Sequence, residues 1–265
     1  MRATLESPPE HVCSAFGGRT GDAEPMPGTD SWRYNDLVLK PVVDKSRTLW
    51  TARALEAVDE PGLRVAKPVR SSDGRWVVGG WSANRFVSGT AEHRYDEVVH
   101  AAVKLHRATA GLPRPDFLGR RTDLEALADK LAWGEADMSL DENKGGRWFE
   151  VLAGSRRPVK LPDQVVHGEL LAGVLFDGDA APGIVDFVPY YRPGEWGAAI
   201  VAVDALVWGG ATIDLLERWA HLPEWPQLLL RAVLFRLAAN ALDPRSTRAA
   251  HDGLRAAARD VSAVL

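Results

Sequence analysis

Two acidic side chains stand inside sequence that otherwise reads as strand interior. Glu169 lies in VVHGELLAGVLF, residues 165–176, and Asp186 lies in IVDF, residues 184–187. A polar or charged group among apolar neighbours costs stability unless something uses it, so both point to a site. VLF and IVDF, joined by the turn-rich DGDAAPG, read as a two-stranded hairpin. Glu169 just before the first strand and Asp186 on the second are thereby expected at one mouth. Converging carboxylates suit divalent-cation binding or general acid/base work, since Mg²⁺ takes hard oxygen ligands and few from protein.

Other residues carry weaker signals. PGTDS, residues 27–31, places Gly28, Thr29 and Ser31 in a turn whose backbone N–H groups could face phosphate, although it lacks the spacing of the known phosphate-loop fingerprints. His100 and His106 lie six apart rather than four, so they read as core and cap residues, not paired zinc ligands. Trp133, Trp148, Trp208, Trp219 and Trp225 read as packing anchors. Asp204 is expected to cap or brace its apolar helix. Arg231 and Arg236 alternate with apolar residues and suit either an acceptor pocket or structural ion pairs.

The elements that must hold these residues follow from pattern. Ser7-Pro8-Pro9-Glu10 resembles a capping box opening a short helix to about Phe16, and GGRTGDAEPMPGTD reads as a loop. SWRY and LVLKPVV around Asn35-Asp36 predict a hairpin, and TLWTARALEAV an amphipathic helix. LRVAKPV and RWVVGGWSANRFVSG predict further strands. After Gly89 the period turns helical in YDEVVHAAVKLHRAT, in DLEALADKLAWG and in the tail from Trp196, while DENKGG, residues 141–146, reads as an exposed connection. The order predicts an α+β, bilobal chain: a small β-rich lobe over residues 1–88 and a mainly helical lobe over 89–265 carrying the hairpin, with small-ligand binding expected at the junction.

Composition narrows the function. With 46% hydrophobic and 26% charged residues the chain is an ordinary globular one, and a formal charge of −4 argues against a phosphate-tracking nucleic-acid surface. Cys13 is the single cysteine, so neither an internal disulfide nor a multi-cysteine zinc site can form, and a reducing cytoplasm is expected. MRATLESPPEHV has no apolar signal core, and the apolar run from Gly197 is interrupted by Asp204, Gly209-Gly210 and Asp214. No secretion and no membrane span are expected. Oligomeric state has no signature here.

HGELLAGVLFDGDAAPGIVDF resembles the catalytic segment of the aminoglycoside phosphotransferase and choline kinase-like family, small-molecule relatives of the protein kinases. The resemblance extends to VLK, residues 38–40, to TLWTARALEAV and to VVHAAVKLHRAT. It implies the protein kinase-like fold, ATP and Mg²⁺, and phosphoryl transfer to a hydroxyl of a small molecule. It further implies that Lys40 contacts the nucleotide phosphates, that Glu56 pairs with Lys40, and that Asp186 binds the metal. Glu169 then takes the acceptor proton, with a possible second part as metal ligand, and His167 braces the loop. Two positions depart from the pattern: Glu169 stands where the family has Asp, and no Asn precedes the VLF strand, where Val174 offers no oxygen. A nucleotide- or ligand-binding protein without transfer is therefore the alternative. A hydrolase built on the Glu169 and Asp186 pair would leave Lys40 without a purpose.

Overall fold

The computed structural model describes residues 7–18 and 23–265. Arg19 to Asp22 of the glycine-rich loop and the first six residues of the chain lie outside the described residues. The fold is α+β, with two compact units. The first comprises Met1–Thr90 together with Leu175–Asp186, the second Ala91–Val174 with Phe187–Leu265.

The first unit is built on an antiparallel sheet of β1 (Ala23–Pro25), β2 (Trp32–Tyr34), β3 (Leu37–Pro41), β5 (Pro68–Val69), β6 (Val77–Val78) and β7 (Trp81–Arg85). Its order is β1-β2-β3-β7-β5, with β6 also on β7. The two-residue turns are chemically specified. Asn35 takes φ 49° between β2 and β3, and Gly79 and Gly80 take φ 55° and 82° between β6 and β7, the left-handed geometry that tight hairpins require. α1 (Glu10–Ala15) lays Val12 and Cys13 on this sheet against Leu37, Leu39, Trp81 and Ala83. The Ser7 capping box does not form, because Pro9 is the N-cap and no side chain caps the helix. β1 corrects the reading of residues 17–30 as all loop.

α2 (Lys45–Ala57) follows β3, its first turn capped by the Asp44 carboxylate accepting from the Arg47 N–H at 3.0 Å. Its C-terminal carbonyls are gathered by Lys67, which donates to Leu55 and Val58. A second sheet runs β4 (Arg64–Val65), β10 (Gly183–Ile184), β9 (Val174–Leu175). The parallel pairing of β10 with β4 is why Leu175–Asp186 packs with the first unit, whereas a boundary at residue 88 left the hairpin among the helices. Arg64 fastens it further, donating to the Ala181 carbonyl at 2.6 Å and the Ser88 carbonyl at 3.1 Å.

The second unit is helical around one short antiparallel pair, β8 (Asp163–His167) with β11 (Pro189–Pro193). β11 was not legible as a strand because PYYRP begins and ends in proline, which a two-stranded edge tolerates. Its helices are α3 (Tyr95–Thr109), α4 (Leu124–Trp133), α5 (Gly146–Ala153), α6 (Gly194–Asp204), α7 (Asp214–Arg218), α8 (Trp225–Leu242) and α9 (Arg248–Ala263). α6 is buried on every side from Trp196 to Asp204, which matches its unbroken apolar sequence. α3 packs on α6, and α8 packs on α4, α6 and α9. Among the described residues no helix is long and apolar enough to cross a membrane.

Candidate functional site

In the first unit, Lys40 occupies β3, the strand flanked by β2 and β7, and pairs across the sheet with Ser82. Residues 37–39 are buried, and Lys40 emerges where the strand leaves the core. Its Nζ donates to the Asp186 carboxylate. Asp186 is not within the strand, as the apolar pattern suggested. β10 ends at Ile184, and Asp186 follows with φ 54°, a backbone kink that turns its side chain out to 57% exposure. Non-glycine residues adopt that region rarely, and such strain gathers at functional positions.

Glu56 does not pair with Lys40. Its carboxylate accepts from the Arg70 guanidinium at 3.1 and 3.3 Å. Arg70, on the loop after β5, stacks its guanidinium over the Trp76 ring at 3.9 Å, so the planar fork is already oriented for a carboxylate. The competing arginine was present in the sequence but carried no spacing signal. Gly28, Thr29 and Ser31 lie in the turn joining β1 to β2. The Met26 N–H donates to the Ser31 carbonyl at 2.9 Å, and the Thr29 hydroxyl accepts from the Ser31 N–H at 3.3 Å. Gly28 takes φ 76° with open space around its Cα. Thr29 is exposed, whereas Ser31 is buried and serves the turn.

In the second unit the loop His167-Gly168-Glu169 is held from behind by α3 and α8. The last turn of α3, LHRAT, grips β8. The His106 Nε2 accepts from the His167 N–H at 3.0 Å, Gln164 donates to the His106 carbonyl at 2.5 Å, and the Thr109 hydroxyl donates to the Val165 carbonyl at 2.7 Å. His106 is therefore neutral with its proton on Nδ1, and burial pushes its pKa down to about 4. A Cβ on Gly197 of α6 would fall 2.0 Å from the His106 ring, so glycine there makes the room. His106 is the buried core residue expected, whereas His100 is exposed and edges against Trp219.

His167 is fully buried, its Nδ1 accepting from the Glu169 N–H at 3.1 Å and its ring against Phe187 at 5.1 Å. It positions the loop and is not placed to touch a substrate. Gly168 is required by close approach, since a Cβ there would lie 2.3 Å from the Tyr190 ring. Arg236 donates to the Gly168 carbonyl at 3.2 Å and to both oxygens of Asp204 at 2.7 and 2.5 Å. Asp204 is thus the brace expected, and Arg236 an ion-pair member rather than a pocket wall. Arg231 is likewise spent within its surroundings, donating to Gln227 and the Arg157 carbonyl. Burial pushes the Asp204 carboxyl up. Burial also opposes the Arg236 charge, but Asp204 more than offsets it and the pKa is raised. Glu169 itself is exposed at the end of this scaffold.

Val174 is buried in β9 and contributes no oxygen. Among the described residues no group of three or more His, Cys, Asp or Glu side chains is placed to hold a metal ion. A nucleotide-borne cation needs only one or two protein carboxylates, and the exposed Asp186 fits that smaller requirement. The second unit also contains a polar cavity of about 160 Å³ lined by Arg121, Asp129, Asp163, Tyr190 and Arg192. Arg192 in its wall is already matched, donating to Asp129 at 2.7 and 3.0 Å and to Glu135 at 2.5 and 2.9 Å.

No family model and no curated protein matches the chain. Solved structures do. An aminoglycoside phosphotransferase from Alicyclobacillus acidocaldarius is 14% identical and superposes with a TM-score of 0.64 over 99% of this chain and 95% of that one. Amicoumacin kinase in complex with AMP-PNP, Ca²⁺ and Ami is 14% identical, with a TM-score of 0.60 over 93% and 89%. Spectinomycin phosphotransferase bound to AMP is 11% identical, with a TM-score of 0.59 over 91% and 92%. This chain has the aminoglycoside phosphotransferase fold. The kinase-like fold expected from HGELLAGVLF and IVDF is therefore matched over the whole chain. β8, β9 and β10 all form in this chain, with Glu169 following β8 and Val174 opening β9.

Proposed function

We propose that the chain transfers the γ-phosphoryl group of ATP to a hydroxyl of a small molecule. The observation that carries this reading is the Lys40–Asp186 pair, a cation and an exposed carboxylate brought together from residues 146 apart in sequence. An ion pair this exposed contributes about 0.2–1 kcal/mol, little enough to be exchanged for a ligand. Nucleotide phosphates would take Lys40 and free Asp186 for a divalent cation. That cation would neutralise charge on the phosphates when bound. Gly28 and Thr29, in the turn between β1 and β2, would approach the phosphates from their backbone.

Glu169 would accept the proton of the acceptor hydroxyl. The oxygen forms its bond to the γ-phosphorus, the bond from that phosphorus to the bridging oxygen breaks, and ADP leaves with the electron pair. His106, His167, Asp204 and Arg236 hold the loop that carries Glu169. Solved neighbours named as kinases and phosphotransferases, with AMP-PNP and Ca²⁺ in one complex, support the nucleotide and the metal class. One observation favours the second reading, binding without transfer: the buried Val174 in place of an oxygen donor.

An acceptor-dependent ADP-release assay across hydroxyl compounds separates the two. Transfer predicts turnover with at least one acceptor and a loss of about 10²–10⁴-fold in Glu169→Gln. ATP binding with no acceptor-dependent release, in a chain that melts as a single folded species, selects the binding reading.

A further inference from the structure

The cavity beside β11 has a wall drawn mainly from the connection between α3 and α4, from α4 itself and from β11, and no residue of the Glu169 loop lines it. At about 160 Å³ it is of the size that holds one benzene-sized ring. Leu118, Ala126 and the Tyr191 ring give it apolar surface.

One polar group in this wall is unused. Tyr190 is 2% exposed, and its hydroxyl has no hydrogen-bond partner. Burial pushes its pKa up, so the hydroxyl keeps its proton and is a buried donor without an acceptor. Such a donor costs stability. The ring alone makes the edge contacts to Trp196 and Phe235, at 5.6 and 5.7 Å, and phenylalanine would serve them equally well. The hydroxyl therefore points to an acceptor that the protein does not supply. The Arg121 guanidinium lies over the same ring at 5.1 Å, which adds positive charge beside the donor.

The charges of the wall set the sign of the missing group. Asp129 and Glu135 are engaged by the four hydrogen bonds from Arg192, whereas Arg114 and Lys130 have no ion-pair partner among the described residues. Asp163 adds one carboxylate that is likewise without an ion pair among the described residues. An anion is favoured by the donors, and a second negative charge on it is opposed by these acids.

We propose that this cavity binds a small monocarboxylate with an apolar body, of benzoate size, whose oxygens accept from the Tyr190 hydroxyl and the Arg121 guanidinium. The ligand needs no hydroxyl, and the site stands whether or not the chain transfers phosphate.

Calorimetric titration of the full chain at constant ionic strength tests it, with benzoate, its neutral isostere benzamide, and inorganic phosphate as probes. The expected result is binding of benzoate, with benzamide and phosphate each at least tenfold weaker, and a loss of about tenfold for benzoate in Tyr190→Phe and in Arg121→Gln. Without ligand, Tyr190→Phe should melt no lower than wild type, because it removes only an unpaired hydroxyl. No benzoate binding by the folded wild-type chain, equal affinity in both variants, or benzamide or phosphate binding as tightly as benzoate overturns the proposal. So does early melting of Tyr190→Phe, which would give the hydroxyl a structural role; Arg121→Gln then shows whether any carboxylate site remains, and unchanged benzoate affinity there removes it.

Discussion

The two ion pairs nearest the proposed chemistry differ in nearly every physical respect. Lys40–Asp186, in the first unit, is exposed, with side chains 26% and 57% accessible, and joins one strand to the kink after another. Arg236–Asp204, in the second unit, is buried, bidentate and tied to a backbone carbonyl. Solvent screens the first, so a ligand can replace either partner at small cost. The second cannot be opened without stranding a charge in the core. One pair is suited to exchange and the other to support, which is the division of labour the proposed transfer would require between holding phosphates and fixing a base.

Arg236→Ala breaks the supporting pair, and leaving Asp204 buried without its partner should destabilise the chain by about 3–5 kcal/mol in urea unfolding. The pH dependence is next in size. His106 has a folded pKa of about 4, below its unfolded value, so the unfolded state binds more protons between those values. Stability should therefore be fully present above about pH 6.5 and decline as pH falls toward 4, by on the order of 3 kcal/mol. A His106→Gln variant should flatten that slope. Gly168→Ala drives a Cβ into the Tyr190 ring and should cost about 1–3 kcal/mol. It should also lower turnover more than it weakens ATP binding, because the displaced loop carries Glu169. The exchangeable pair sits at the small end: Asp186→Asn should change stability by less than about 1 kcal/mol. A much larger loss there would erase the contrast between the two pairs.

The legible parts of this molecule were those specified by local chemistry. Tyr95–Thr109 forms the helix its period announces, and Asn35-Asp36 the turn its residue types demand. Lys40 and Asp186 were singled out and do meet. Partners chosen by distant residues were not legible. Glu56 goes to Arg70 because a stacked guanidinium lies within reach, and nothing in the helix sequence announces it. Asp186 sits beyond its strand because β10 stops at Ile184, and no periodicity marks that end. Trp208 is exposed because α6 ends in a π-turn, and a tryptophan in apolar sequence gives no sign of which way it will face.

The central claim is that Lys40 and Asp186 form an exchangeable pair that receives nucleotide phosphates and their cation. Calorimetric titration of ATP with Mg²⁺ into wild type, Lys40→Ala and Glu56→Ala measures it directly. The account predicts binding in wild type, a loss of tenfold or more in Lys40→Ala, and unchanged affinity in Glu56→Ala, whose carboxylate belongs to Arg70. Equal affinity in wild type and Lys40→Ala, or no binding by the folded wild-type chain, would contradict it.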